Sequence, residues 1–287
     1  MSTTTSPAAT PIAATSAPVT ATPVIRSIPA PSRNPLKQRG FGRLVGTEFR
    51  VWLRDISNPF WALLFPTAML LLNAFGSEGF TTETFDVPYY HQFYGMTPFQ
   101  VVMPIMLVMA MALPFMTMMP VTFGTFRDKG ILKRFSGSPM QPGSLVATHY
   151  LINMVGVIGG AAIAIIASAI AWGIAVPSNV LITVVAFLLG TLAVASLGTL
   201  IAARVPKASV ANGVGMTAFF TLLFLGGGLA IGLDFIERIA RFTPLGAAIE
   251  AMQTGWFGGG IPWMAFAVLL GWTAVTLPLG LKLFKWR

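Results

Sequence analysis

Six long stretches of the chain consist almost entirely of apolar residues, and they limit the possible folds more than any other feature. A helix rises ~1.5 Å per residue and the apolar core of a bilayer is roughly 30 Å thick, so about 20 apolar residues can cross it. The stretches contain no Asp, Glu or Arg, and their only lysine is Lys282 near the end of the last one. They cover residues 59–75, 99–123, 145–176, 180–203, 210–233 and 261–284. The sequence therefore predicts an all-α polytopic membrane protein with six transmembrane helices.

The composition agrees with this prediction and excludes several kinds of site. Only 9% of the 287 residues are charged, whereas soluble domains carry roughly 25%. The chain has no cysteine, which excludes disulfides, Cys-ligated zinc and iron–sulfur clusters. His91 and His149 are too few and too far apart in the sequence to suggest a metal site. We therefore expect no cofactor in this chain.

The basic residues are distributed very unevenly. All but Arg238 and Arg241 of the 18 basic residues lie before the first predicted span, in the second and fourth connecting segments, or at the C-terminus. Because cytoplasmic segments are enriched in Lys and Arg, this distribution places both termini in the cytoplasm of a multi-pass protein of the inner membrane. The net charge of +9 thus indicates topology and not nucleic-acid binding.

Two segments precede the first predicted span. Residues 1–35 are rich in Ser, Thr, Ala and Pro, and we expect them to form a disordered cytoplasmic tail. In residues 36–58, apolar residues recur at spacings of three and four, while Arg43, Arg50 and Arg54 occupy other faces. This pattern predicts an amphipathic interfacial helix, which serves either as a membrane anchor or as a docking surface for a cytoplasmic partner. Residues 59–287 would form the six-helix transmembrane domain.

Two further segments lie between spans. Residues 124–144 form a charged cytoplasmic loop with a short helical piece, and its charges either keep it in water or bind a partner. In residues 234–260, Asp234 and Glu237 suggest a capping box, and Thr243 followed by Pro244 suggests a second helix start. The two short helices, about 235–241 and 244–255, are too short to cross the membrane. They lie at the outer interface or form a re-entrant pair.

Three stretches, in this order, resemble the permease subunit of type-2 ABC exporters, the ABC-2 family. The first is the amphipathic helix before the first span. The second, residues 127–135 with the sequence RDKGILKRF, is similar to the family's R-E-K-G-T-L coupling segment between spans two and three. The third, residues 236–251, is similar to the family's extracellular re-entrant helices. The resemblance covers about residues 36–287.

This resemblance implies the membrane subunit of an ATP-driven exporter. Two permeases, two copies or a copy and a paralogue, would pair, and each would dock a separate ABC ATPase subunit that binds ATP and Mg. The residues implied in ATPase coupling are Arg127, Asp128, Lys129, Gly130, Leu132, Lys133, Arg134, Phe135, Glu48, Arg50 and Arg54. The residues implied in the re-entrant motif are Asp234, Glu237, Thr243, Pro244 and Glu250.

The sequence around each lysine indicates that ATP is bound by another subunit. A nucleotide-binding P-loop requires Lys followed by Ser or Thr, and none of the six lysines has that neighbour. We therefore expect this chain not to be an enzyme, and another polypeptide to supply ATP hydrolysis.

The cargo is the least constrained property. Met103, Met106 and Met109 share one helical face, which suits either a pathway for apolar cargo or ordinary packing against helices and lipid. We expect an amphipathic cargo, such as a drug, an antibiotic or a lipid-like compound. The alternatives are a polysaccharide or lipid-linked glycan exporter and an ion-gradient-driven transporter. Proton relays usually place carboxylates in the membrane, and the six spans contain none.

Overall fold

The computed structural model describes residues 41–56, 96–135, 142–172, 177–226 and 234–284, together with isolated residues between 60 and 72. Every regular element in these residues is helical, and they contain no strand. The expected tail, residues 1–35, and most of the first predicted span, residues 59–75, lie outside the described residues. The all-α class is therefore confirmed for the described part of the chain.

Helices account for most of the described residues. The predicted amphipathic helix is α1, Phe41–Arg54. The second predicted span is one continuous stretch made of α2, Pro98–Leu113, a π-helical segment, Pro114–Met118, and α3, Met119–Asp128. The remaining helices are α4, Ile131–Phe135; α5, Pro142–Trp172; α6, Val180–Arg204; α7, Ala208–Leu225; α8, Asp234–Ala240; α9, Pro244–Phe257; and α10, Trp263–Leu283.

Five helices of the described part are long and apolar enough to cross a membrane. They are Pro98–Asp128, Gly143–Ala171, Val180–Arg204, Ala208–Leu225 and Trp263–Leu283, and they overlap the second to sixth predicted spans. The helix α7 ends at Leu225, before the expected boundary at residue 233. Gly226 caps it, and a Cβ at this position would lie only 3.1 Å from the amide nitrogen of Gly246. The helix thus ends where its backbone meets the start of α9.

Helix α6 packs along both α10 and α9. It runs parallel to α10, because Ser196 shares a hydrogen bond with Thr276 and Gly280 lies against Leu200 four residues further on. It runs antiparallel to α9, since a Cβ on Gly190 would contact Ala248 and a Cβ on Gly255 would contact Thr183. Small residues at these positions let the helices approach closely, as is common in membrane proteins. The short helix α9 is consequently buried along most of its length.

The π-helical segment is held between α6 and α7. Pro120 has no N–H, so it cannot donate to the carbonyl four or five residues earlier, that of Met116 or Phe115. Gly198 of α6 faces the Phe115 carbonyl and Gly215 of α7 faces the Met116 carbonyl, so closely that a Cβ on either glycine would clash. Each glycine therefore turns a Cα hydrogen toward a carbonyl oxygen, a contact that recurs between close helices.

Candidate functional site

Four helix ends meet at the last two turns of α3. The end of α6, the start of α7, the residue after α10 and the start of α5 all contact Phe123, Phe126, Arg127 or Asp128. The segment that follows, residues 129–135, is the one expected to couple to an ATPase. The geometry of this meeting point decides what that segment can move.

Arg127 joins α3 to the end of α6. Its guanidinium donates to the carbonyl oxygens of Ala202 at 2.6 Å, Val205 at 2.7 Å and Ala203 at 3.1 Å. The last carbonyls of a helix have no partner within the helix and carry partial negative charge, so a cation there is favourable. The guanidinium also lies 5.3 Å from the ring centroid of Phe284, just beyond α10. One side chain thus holds the ends of α6 and α10 against α3.

Asp128 joins α3 to the start of α7. Its carboxylate accepts a hydrogen bond from the amide of Ala208, the first residue of α7, at 3.1 Å. Lys207, at the N-cap position, makes no side-chain cap of its own. Asp128 therefore caps α7 from a neighbouring helix and places a negative charge at its positive end. We call Arg127 and Asp128 together the Arg127–Asp128 clamp.

Gly124 brings α3 into direct contact with the turn that the clamp holds. A Cβ on this glycine would lie 2.8 Å from backbone atoms of Lys207 and Ala208. The turn between α6 and α7 is thus fixed by a backbone contact as well as by the two charged side chains. The sequence implied Arg127 and Asp128 as ATPase contacts, whereas the structure places both against helix ends of the same chain.

The segment after the clamp presents its lysines outward. Gly130 adopts a positive φ of 66°, a conformation that favours glycine, and the chain turns there into α4. Leu132 is 1% exposed and anchors α4, while Lys129 and Lys133 are exposed. The side chains of Arg134 and Phe135 lie outside the described residues. Both lysines of this tip thus lie on the surface of the described part of the chain.

Helix α1 attaches to the start of α5. Trp52 packs on Ile152, and Glu48 Oε2 lies 3.9 Å from His149 Nε2. Burial raises the pKa of the Glu48 carboxyl above its usual value of 4.5. Arg50 and Arg54, in contrast, are exposed. Of the three α1 residues expected to contact an ATPase, Glu48 faces the protein and the two arginines face away from it.

His149 fills the space between α1 and α3. Its ring lies 5.2 Å from that of Phe123 and 5.4 Å from that of Phe126, and its Nε2 has no hydrogen-bond partner in the described part of the chain. No sequence pattern indicates this contact or those of Gly124 and Phe284. Their partners are distant in the sequence, so neither spacing nor periodicity indicates them.

The other expected residues lie away from this meeting point. Thr243 is the N-cap of α9: its hydroxyl oxygen accepts from the Gly246 amide at 3.0 Å and donates to the Ala240 carbonyl at 2.8 Å. Pro244 is the first residue of α9, as the sequence predicts. Glu250 is half-buried on α9. Asp234 begins α8, but its side chain and that of Glu237 are outside the described residues.

The three methionines considered for a pathway are largely inside the helix bundle. Met103 is 1% exposed, and Met106 and Met109 are half-buried against the hydrophobic core. Packing between helices is therefore enough to explain Met103. The structure brings none of the three to the clamp.

These features define a helical membrane protein in which one charged segment is connected to several apolar helices. The model of the ABC-2 type transporter family matches residues 39–257, which include α1, the clamp, α4 and α9. The chain belongs to the ABC-2 type transporter family and is the membrane component of an ABC transporter. Members of this family typically work with an ABC ATPase subunit. Comparison with curated proteins gives no match, and comparison with solved structures gives none either.

Proposed function

We propose that the chain is the permease subunit of an ABC exporter, which moves an amphipathic molecule out of the cytoplasm with ATP hydrolysed by a separate subunit. The observation that carries this proposal is the connection between the exposed tip, Lys129–Gly130 and α4, and the clamp directly before it. A force applied to the tip is transmitted by hydrogen bonds to α6 and α7 and by ring contacts to α10. Rigid-body shifts of this kind are a common route from an effector surface to a distant site.

The two kinds of charged residue then have different tasks. The exposed Lys129 and Lys133 contact acidic groups of the ATPase subunit, and the exposed Arg50 and Arg54 of α1 extend this surface. Arg127 does not touch the ATPase but transmits its movement to α6. In this proposal the tip, α1 and both termini lie on the cytoplasmic side of the inner membrane, and the distribution of basic residues supports that orientation.

Helices α8 and α9 form the re-entrant pair in this proposal. Gly255 of α9 lies beside Thr183, near the start of α6, and Ala248 lies beside Gly190. The fourteen residues of α9 span about 20 Å at ~1.5 Å per residue, so its start, beside Thr243, reaches beyond half of a bilayer core of roughly 30 Å. The pair thus enters from the outer side and turns back near mid-membrane.

A second permease, either another copy or a paralogue, covers α7. This helix exposes one face with large apolar side chains, among them Val214, Phe220 and Phe224. Asn212 and Thr217 are exposed on the same apolar helix. Polar side chains in a spanning helix are better satisfied by another helix than by lipid, which supports a permease pair.

Co-expression with the cognate ATPase subunit tests the proposal. The two chains should purify as a complex that hydrolyses ATP, and Lys129→Glu with Lys133→Glu should reduce the recovered ATPase subunit by about tenfold, as loss of ~1.4 kcal/mol of contact energy would. Lys282→Glu, at the exposed end of α10, makes the same kind of charge change outside the tip and should leave the complex intact. Cargo movement by this chain alone, driven by an ion gradient, would contradict the proposal.

A further inference from the structure

The turn between α8 and α9 contains an exposed cation, Arg241, whose depth in the membrane is unusual for a charged residue. The Trp272 indole Nε1 donates to the carbonyl of Phe242 at 2.9 Å, and Trp272 is the tenth of the 21 residues of α10. Given the re-entrant placement proposed above, Arg241 therefore lies near the middle of the bilayer. The inference that follows rests on that part of the proposed function.

A cation at this depth requires an explanation. Arg238 and Arg241 are the two basic residues that do not follow the bias toward the cytoplasmic segments. Both are exposed, and neither side chain forms an ion pair or hydrogen bond with another side chain in the ranges that the structure describes. A charged side chain within the membrane is costly, so it faces a ligand, an aqueous pathway or an opposite charge.

An apolar groove is lined by Phe242, the residue that follows this cation in the chain. It has a volume of about 380 Å³, opens on the outside of α10, and is lined by Phe242, Val268, Gly271, Trp272 and Val275. The indole N–H is already used by the Phe242 carbonyl, so the groove offers no free donor of its own. Gly271 leaves space in it, because a Cβ there would meet no atom within 4 Å.

We propose that Arg241 and this groove form a binding site for an anionic amphiphile drawn from the bilayer. The guanidinium, with Arg238 one turn earlier, pairs with a carboxylate or phosphate, to which it can donate two parallel hydrogen bonds. The groove holds the hydrocarbon chain against Phe242 and Val275. Because an anionic amphiphile is a subset of the amphipathic cargo proposed above, this site narrows the class of cargo.

Photolabelling of the full chain in nanodiscs of zwitterionic lipid tests the site. The probe is a fatty acid with a diazirine in its chain, and a fatty amine of the same length and with the same diazirine is its comparison. We expect the acid to label the 242 and 268–275 peptides, and the amine to label them at least about tenfold less, the effect of losing one charge-assisted pair. Equal labelling by acid and amine would overturn the proposal.

Three variants separate the charge from the groove. Arg241→Gln should reduce labelling by the acid about tenfold, whereas Arg241→Lys should keep most of it. Gly271→Leu places a side chain in the groove, where its Cβ meets no atom within 4 Å, and should reduce labelling with the charge intact. Arg204→Gln removes an exposed arginine at the end of α6, away from the groove, and should change nothing.

Undiminished labelling of both Arg241→Gln and Gly271→Leu would show adventitious contact and refute the site. The assay contains no ATPase subunit, so this outcome leaves the ATP-coupled function standing. Failure to form an ATP-hydrolysing complex would in turn refute the proposed function without changing the labelling result.

Discussion

At the residue scale, the two side chains of the clamp form hydrogen bonds with unpaired backbone groups at the ends of other helices. Arg127 accounts for three carbonyls at the end of α6, and Asp128 accounts for the first amide of α7. Helix ends without such partners are costly when they are shielded from water. The same side-chain atoms of Arg127 and Asp128 therefore stabilise the fold and connect the tip to α6 and α7.

Replacing Arg127 separates charge from geometry. Arg127→Ala leaves the carbonyls of Ala202, Ala203 and Val205 short of donors and should lower the free energy of unfolding by about 2 kcal/mol. Arg127→Lys keeps the charge but cannot reproduce the planar fork, so it should recover only part of the loss. Thermal unfolding in detergent measures the stability, and exchange of the Val205, Lys207 and Ala208 amides should rise in both variants. Unchanged exchange would contradict the clamp.

Asp128 allows a matched comparison at the start of α7. Asp128→Ala removes the acceptor for the Ala208 amide and should cost about 1 kcal/mol, as helix-cap deletions do. Asp128→Asn keeps a capping oxygen, so it should cost less than half as much. If the two variants unfold at the same temperature, Asp128 does not act as a cap.

Glu48 gives a pH-dependent prediction. Burial raises the pKa of its carboxyl in the folded state, so folding becomes less favourable as the pH rises from about 4.5 through the raised pKa. Above that range the cost is constant, and it is absent below pH 4.5. Glu48→Gln should therefore raise the unfolding temperature at neutral pH and have no effect at pH 4. A decrease at neutral pH would mean that the carboxylate is stabilised by His149 instead.

At the element scale, the second span is divided by its π-helical segment. Phe115 and Met116 present carbonyls that Pro120 cannot satisfy, and Gly198 and Gly215 cover them. The first piece, α2, begins with a capping box formed by Thr97 and Gln100. The second piece, α3, carries the clamp. The segment thus lies between the part of the span that is fixed at its start and the part that meets the tip.

Glycine substitutions test this contact on one helix. Gly215→Ala forces a methyl group against the Met116 carbonyl and should destabilise the protein by about 1–3 kcal/mol, as overpacking does. Gly213→Ala, two residues away on α7, meets no atom of the chain within 4 Å and should be neutral or slightly stabilising, because Ala is the better helix former. Equal unfolding temperatures for the two variants would show that the contact is loose.

Local features of these elements were predictable from the sequence, and contacts between them were not. The N-cap at Thr243 followed from two adjacent residues, and the five described spans followed from apolar runs. The π-helical segment is not predictable from the sequence, because the spacing of apolar residues does not distinguish hydrogen bonds to the fifth preceding residue from those to the fourth. The partners of Arg127 lie 75 to 78 positions away, and no spacing rule reaches that far. The family resemblance implies an ATPase contact for Arg127, and the sequence does not indicate its contacts with α6.

At the scale of the whole molecule, the chain connects one exposed charged tip to the ends of several spans. The clamp attaches α6, α7 and α10 to α3 with charged contacts, whereas α5 meets α3 through the ring of His149, and α1 packs on α5 through Glu48 and Trp52. A movement of the tip should therefore carry α6, α7 and α10 as one unit. The contacts of the His149 ring with Phe123 and Phe126 are where this unit can shift against α1 and α5.

Distances between spin labels test this account most directly. Labels at position 131, which is half-buried on α4, and at the exposed position 204 report the tip relative to the end of α6. Labels at 131 and at the exposed position 47 report the tip relative to α1. In the complex with the ATPase subunit, ATP trapping should leave the first distance unchanged and alter the second by several ångströms, and Arg127→Ala should make the first distance respond as well. The account would be contradicted if, with Arg127 in place, ATP trapping changed the distance between the tip and the end of α6 as much as it does in Arg127→Ala.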